Sequence, residues 1–520
     1  MLNRRRFLKL AGRTAFATAA ATLFGSPRFG IATQASDDAE QHKGLLDLTA
    51  TEVVQRIREG ALSAEVYART LLAQTERLHF LDTIIAIDPD AVLEGARQVD
   101  LSRRRGQMLG PLAGLPLLVK DNIDTKALPT TAGTPGLLSN RPRRDAPVLD
   151  PLLGAGALLL AKANMHELAF GITSHNFYFG AVHNPYDPTM IPGGSSGGTG
   201  AGIAARLCPA GLGTDTGGSV RIPAALCGVV GLRPTKGRYP ITGIVPISHT
   251  RDTPGPMGRT VADVALLDAV ETGSMPAQAI RLRGLRLGIP RNPFWQGLDP
   301  ELAAVMEDAL HRLRALGVVL VEADIPAAAT LDQQAGFPIA LFEANIDIPA
   351  YLTAEGNGIT FDDIQRQIAS PDVAGAIAAA RSGVITQATY ERALNVVRPE
   401  LQELYASYFR DHRVVAMLFP TTVLPARPIG EDKTVELNGR PVDTFTTYIR
   451  DTDPDAVAGI PGLSMPAGLT RSGLPVGMEL DGPKGSDRLL LGIGLALEAA
   501  AFRPLRAPKL AIVGDGERSE

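Results

Sequence analysis

Cysteine and histidine are scarce in this chain, and no sign of charge dominates it. Only Cys208 and Cys227 are present, so there is no disulfide framework, and at most a single bridge in an oxidising compartment. The run PAALCGVVG sets Cys227 among apolar residues and glycines, where a free thiol serves as a small hydrophobe. The eight histidines are dispersed, with no H-E-x-x-H and no cysteine pair at ligand spacing, and neither a metal nor another cofactor is expected. Lys and Arg number 51 against 55 Asp and Glu, and the arginines form no stripe, so nucleic acid is not expected as a partner. After the N-terminus no segment reaches the roughly 18 uninterrupted apolar residues that a bilayer span requires. No stable membrane association is expected of the mature chain.

What is present starts with an N-terminus of different material. Residues 1–35 have a basic start, an Ala-rich, weakly apolar middle broken by Arg13, and small residues ending near Ala35. That is the pattern of an export signal. Arg4-Arg5-Arg6-Phe7-Leu8-Lys9 resembles the twin-arginine consensus, which addresses proteins exported already folded. The expected location is the periplasm or the medium.

Downstream the chain alternates helices and strands. Thr49 and Glu52 form a capping box for a helix to Glu59, and Ser63 caps a second helix to His79. Strands are expected at Thr83 to Asp88, Leu115 to Lys120, Gly156 to Ala161, Leu285 to Ile289 and Val414 to Phe419. Helices are expected from Pro89 to about Arg104 and from Asp299-Pro300 to about Gly317, with the apolar run VVLVEA following. Residues from about 327 to 410 are Ala-rich and helical, an insertion over the sheet. The pattern predicts one large α/β domain over about 45–505, with a central, mostly parallel mixed sheet covered by helices on both faces and a tail at 506–520.

The stretch PGGSSGGTGAG, residues 192–202, admits several chemistries. Gly200, Gly202 and Ala205 match a dinucleotide fingerprint, but that fingerprint works directly after a strand, which HNPYDPTMIP does not supply. Gly194-Ser-Ser196-Gly-Gly198 matches a nucleophile elbow, for which His249, His311 and His412 are available bases, and the motif alone leaves this open. A more specific pattern follows at Gly213-Thr-Asp-Thr-Gly-Gly-Ser219-Val-Arg221. Two glycines before a serine let consecutive N–H groups converge on one point, an oxyanion nest beside the Ser219 hydroxyl. Lys120 ends an apolar strand, where burial would leave a neutral amine able to take a proton. The structural alternative pairs it with Asp121 or Asp124.

Together these segments resemble the amidase signature family: residues 192–238, the lysine segment LPLLVKDNIDTKALPTTAGT, AKANMHELAFG and IPGLSMPAGLTRSGLPVGMEL all fit its pattern. The resemblance covers roughly residues 45–505. It implies Ser219 as nucleophile, Ser195 after a cis peptide as bridging serine, and Lys120 as general base. It also implies Thr216, Gly217, Gly218 and Ser219 as oxyanion-hole donors, with Ser196, Asp215 and Arg221 as supporting residues that orient the triad. Within the family, MHELAFGITSHNFYFGAVHNPYDP and the segment after Arg221 resemble hydrolases of indoleacetamide and mandelamide, which release ammonia from small primary amides of arylacetic acids. Phe170, Phe177, Tyr178 and Phe179 are candidate walls of an aryl pocket. The alternatives are an exported amidase for peptide C-terminal or aliphatic amides, and a silent binding protein on the same fold. A silent protein would lack Ser219 or Lys120, and both are present. Whether the chain forms a homodimer is left open.

Overall fold

Local capping chemistry starts the described chain. Thr49 Oγ1 accepts from the Glu52 amide at 3.2 Å while Glu52 accepts from the Thr49 amide at 2.8 Å, which fixes the first turn of helix Ala50–Glu59. Ser63 and Asp88 cap helices Ala64–Arg77 and Pro89–Arg104 in the same manner. A computed structural model describes residues 44–510; the segment 1–35 and the end of the tail lie outside the described residues.

Eleven strands form one mixed sheet. In chain order they are β1 (Ile84–Ile87), β2 (Pro116–Lys120), β3 (Leu158–Ala163), β4 (Ala210–Asp215), β5 (Val230–Arg233), β6 (Thr253–Gly258), β7 (Arg286–Ile289), β8 (Val319–Glu322), β9 (Ala416–Pro420), β10 (Gly462–Leu469) and β11 (Pro475–Asp481). They lie side by side as β1-β3-β2-β4-β6-β5-β10-β11-β9-β7-β8. Parallel blocks β3-β2-β4 and β9-β7-β8 flank an antiparallel middle.

Helices cover both faces. Val53, Ile57, Tyr67 and Leu71 of the first two helices pack with Leu117, Leu160 and Leu212 of the sheet. In the other half Met306, Leu310 and Leu491 pack with Leu287, Leu418 and Leu480. The two-residue period of β9 sends Met417 and Phe419 into the opposite layer, under helices Ala327–Glu355 and Arg398–His412, where Phe419 stacks on Phe294 at 4.4 Å. Among the described residues no helix is long and apolar enough to cross a membrane.

Two boundaries differ from the pattern. The strand expected from Gly156 starts at Leu158, because Gly156 takes a left-handed φ of 94° and closes the turn after helix Asp150–Gly154. β6 reads TPGPMG and carries two prolines inside the sheet. It pairs with β5 only at Met257 and Gly258, so Pro254 and Pro256 lie where that flank has no ladder to break.

Helices Ala327–Glu355, Phe361–Gln365, Pro371–Arg381 and Arg398–His412 occupy the 327–412 region, and a buried side chain helps to fasten them. Glu167, after β3, accepts from the Ser370 amide at 2.7 Å and the Ala369 amide at 3.1 Å, at the start of helix Pro371–Arg381. Beside it His166 Nε2 meets Asp372 at 2.9 Å. Glu167→Leu leaves those two amides without acceptors and is expected to cost about 1–3 kcal/mol in urea unfolding, part of which Glu167→Gln should recover through its remaining carbonyl oxygen.

Candidate active site

The adjacent C-terminal ends of β2 and β4 bring the site together. Lys120, the last residue of β2, is fully buried, and its Nζ lies 2.7 Å from Ser195 Oγ and 2.8 Å from Thr214 Oγ1. Neither neighbouring acid is its partner. Asp121 lies 3.5 Å from a second buried lysine, Lys162, and Asp124 accepts from the Tyr351 hydroxyl at 2.8 Å. Burial therefore pushes the Lys120 ammonium down to about 7, and the more distant charges of Asp215 and Asp252 restore only part of the loss.

Ser195 follows a cis Gly194–Ser195 peptide. Gly193 before it takes a φ of 81°, a conformation suited to glycine, and the Ser195 carbonyl accepts from the His166 amide at 3.1 Å. Ser196 has another use than attack. It is fully buried, its Oγ donates to the Thr214 carbonyl at 3.2 Å, and its amide donates to the Ser219 carbonyl at 3.1 Å, which joins the two serine loops. No strand precedes it, and helix Gly197–Ala204 contains Gly200 and Gly202. His249 meets Asp347, His311 lies on helix Pro300–Ala315 and His412 packs edge-on against Tyr408. The elbow and dinucleotide readings both lose their structural context.

Asp215 organises the loop of Ser219. Its Oδ1 accepts from the Gly218 amide at 2.8 Å and its Oδ2 from the Val220 amide at 3.1 Å, so one carboxylate grips the backbone on both sides of the serine. Arg221 Nε reaches Oδ2 at 3.1 Å and Arg233 Nη1 reaches Oδ1 at 2.9 Å. Burial alone would raise the Asp215 pKa, but the two guanidiniums and these hydrogen bonds outweigh it and hold the carboxyl well below its usual range. One expectation is corrected here. The Gly218 N–H belongs to Asp215 and is not free for a ligand, whereas the amides of Thr216, Gly217 and Ser219 have no such partner among the described residues. The Thr216 hydroxyl donates to Asp252 at 2.6 Å, and the Gly217 carbonyl accepts from the Thr452 hydroxyl at 2.7 Å.

Ser219 is 9% exposed, and its hydroxyl has no hydrogen-bond partner among the described residues. The arrangement thus offers a free hydroxyl beside unengaged amides, with a lysine poised near neutrality one serine away. Lys120 and Ser195 are joined directly; no hydrogen bond links Ser195 Oγ to Ser219 Oγ.

The aromatic residues sort differently from the sequence reading. Phe177 and Tyr178 are half exposed, one ring tilted against His175 at 4.3 Å and the other edge-on to Phe179 at 4.9 Å, while Phe170 packs with Met165 and Ile247. A pair that the sequence did not single out, Phe337 and Phe445, with centroids 5.7 Å apart, stands on two helices tied to the nest. Arg251 ties the Thr216 carbonyl, at 3.1 Å, to the carbonyl of Gly336 beside Phe337, at 2.6 Å. Phe445 shares helix Thr444–Ile449 with Ile449, whose Cδ1 would lie 2.9 Å from a Cβ on Gly217. Cys208 and Cys227 are both buried and unbridged.

Gly218 has a φ of 131°, and a Cβ there would come within 2.1 Å of the Thr452 hydroxyl. Gly218→Ala is therefore expected to displace the nest and lower kcat by about 10²–10³ in amide hydrolysis, with a much smaller change in KM.

The family described as Amidase matches residues 67–491. An indoleacetamide hydrolase of Agrobacterium vitis is 47% identical over 86% of this chain and 96% of its own length. A mandelamide hydrolase of Pseudomonas putida is 38% identical over 91% of this chain and 95% of its own. The crystal structure of the native peptide amidase of Stenotrophomonas maltophilia superposes with a TM-score of 0.77 at 29% identity, covering 89% of this chain and 98% of that one. By both sequence and fold the chain belongs to the amidase family.

Proposed function

We propose that this amidase hydrolyses a small primary arylacetamide, of the indole-3-acetamide or mandelamide kind, to the acid and ammonia through an acyl-enzyme on Ser219. The observation that carries the reading is Lys120, fully buried, without a carboxylate partner and 2.7 Å from Ser195 Oγ. With its amine neutral, the polarity of that contact reverses and the Ser195 hydroxyl donates to Nζ. Ser219 then attacks the amide carbonyl as its proton passes through Ser195 to Lys120. The oxyanion is received by the free amides of the nest. The lysine returns the proton through Ser195 to the leaving nitrogen, ammonia departs, and a water repeats the sequence on the ester. The aryl preference rests on the relatives named above and on the Phe337–Phe445 pair on the helices tied to the nest.

Since the base must be neutral, kcat/KM is expected to rise with pH through about 7, the value to which burial brings Lys120. Lys120→Arg, which stays charged, should be inactive at every pH. Ser219→Ala should abolish both turnover and fluorophosphonate labelling, and Ser195→Ala should lower activity by about 10²–10⁴. Ammonia release should be fastest with arylacetamides in a panel that includes peptide and aliphatic amides. A peptide amide turned over faster would move the assignment to a peptide amidase.

The basic start of the chain supports a second proposal, export by the twin-arginine route to the periplasm or medium, with cleavage near Ala35. Cell fractionation should recover shortened, active protein outside the cytoplasm, and Arg4→Lys with Arg5→Lys should leave active precursor inside. Unchanged export of the double variant would refute the route and leave the amidase assignment standing.

A further inference from the structure

Arg221 has a second set of partners, on the side away from Asp215, that the amide chemistry does not use. Its Nη1 donates to Asp455 at 2.7 Å and to Glu479, and oxygens of Asp455, Glu479 and Asp481 lie within 4.8 Å of one another. All three acids are fully buried. Glu479 and Asp481 are two apart on β11 and so share a face. Gly462 of β10 stands opposite, where a Cβ would lie 2.8 Å from an oxygen of each acid.

The charges of this group do not balance. Four carboxylates, Asp215, Asp455, Glu479 and Asp481, meet two guanidiniums, Arg221 and Arg233. Asp455 Oδ1, Glu479 Oε2 and both oxygens of Asp481 face no hydrogen-bond donor of the described chain. The other titratable groups facing the cluster from neighbouring elements are the buried Tyr405 hydroxyl, Asp332, and Asp453 in its ion pair with Arg251. None adds a positive charge to the set, because Arg251 is already matched by Asp453. Ionised carboxylates left this way in the interior would be costly, and a proton is the smallest ligand that lowers the cost.

We propose that Glu479 and Asp481 are positioning residues that share a proton, the O–H of one donating to the other, and that this singly charged pair holds Arg221 where it fixes Asp215 and the backbone on both sides of Ser219. The inference rests on Ser219 being the nucleophile. Burial, reinforced by Asp455, raises Glu479 to about 8 and, reinforced by Asp455 and Glu479, raises Asp481 well above the usual carboxylate range. The sign follows from these directions. The pair keeps its proton at neutral pH; as pH rises past about 8 the proton leaves, Arg221 is drawn toward the new negative charge, and its hold on Asp215 weakens. Activity then falls on an alkaline limb, opposite to the acid limb set by Lys120.

The test measures kcat, KM and the rate of fluorophosphonate labelling of Ser219 against pH, for the full chain and for Glu479→Gln and Asp481→Asn. Glutamine at 479 keeps an oxygen for Arg221 and supplies a permanent N–H toward Asp481. The alkaline limb of both kcat and labelling is expected to move up by about one pH unit or more, with KM little changed. If the glutamine variant fails to fold, Asp481→Asn carries the same expectation. A limb that stays in place in the folded variants would overturn the inference, and so would one that shifts with added Mg²⁺, which would give the cluster to a cation. Absence of Ser219 labelling in the unmodified enzyme would instead undo the nucleophile assignment, so the two failures are distinguishable.

Discussion

A single carboxylate, that of Asp215, accepts hydrogen bonds from the amides of Gly218 and Val220 while two buried guanidiniums grip it from behind, and the shape of the Ser219 loop depends on that grip. A glycine-rich turn by itself has many conformations, and each glycine adds to the entropy lost on ordering. Here the enthalpy comes from charge-assisted hydrogen bonds in a region without water, where they are stronger than on a surface. The remaining amides of the turn are left free because this one anion takes the Gly218 amide and no other of the four.

The two halves of the site treat burial in opposite ways. Asp215 is buried against two guanidiniums and stays ionised over the working range. Lys120 is buried a few residues away in space with only hydroxyls and a carbonyl in contact, and so is brought near neutrality. Thr214 and Asp215 are consecutive on β4, and the strand sends one toward the lysine and the other toward the arginines. One backbone direction thus separates a permanent charge from a titrating one.

Much of this was legible in the sequence. The capping box at Thr49, the α/β alternation, and Lys120 and Ser219 as the residues of interest follow from local pattern and from the glycine-serine motifs, while Ser195 follows only from the family resemblance. What escaped depends on distant pairing. β6, with Pro254 and Pro256, violates strand preference and is recognisable only once its neighbours are known. The Phe337–Phe445 pair joins two helices more than a hundred residues apart, with no shared motif. Gly218 illustrates a subtler limit, since a run of glycines marks a nest but does not say which amide an internal anion will occupy. Glu479 falls within the motif IPGLSMPAGLTRSGLPVGMEL and Asp481 just beyond it, yet nothing local indicates that Arg221 lies between them and Asp215.

The burial of the two thiols has a practical corollary. Burial pushes both Cys208 and Cys227 well above the usual thiol range, the first to about 12, so neither offers a thiolate to an oxidant or an alkylating reagent while the chain is folded. Each becomes reactive only when its surroundings open: Cys208 lies against the β2 side of the sheet and Cys227 at the end of the helix that begins with Arg221. The enzyme therefore carries two native reporters of its own opening, readable by the order in which a thiol reagent modifies them.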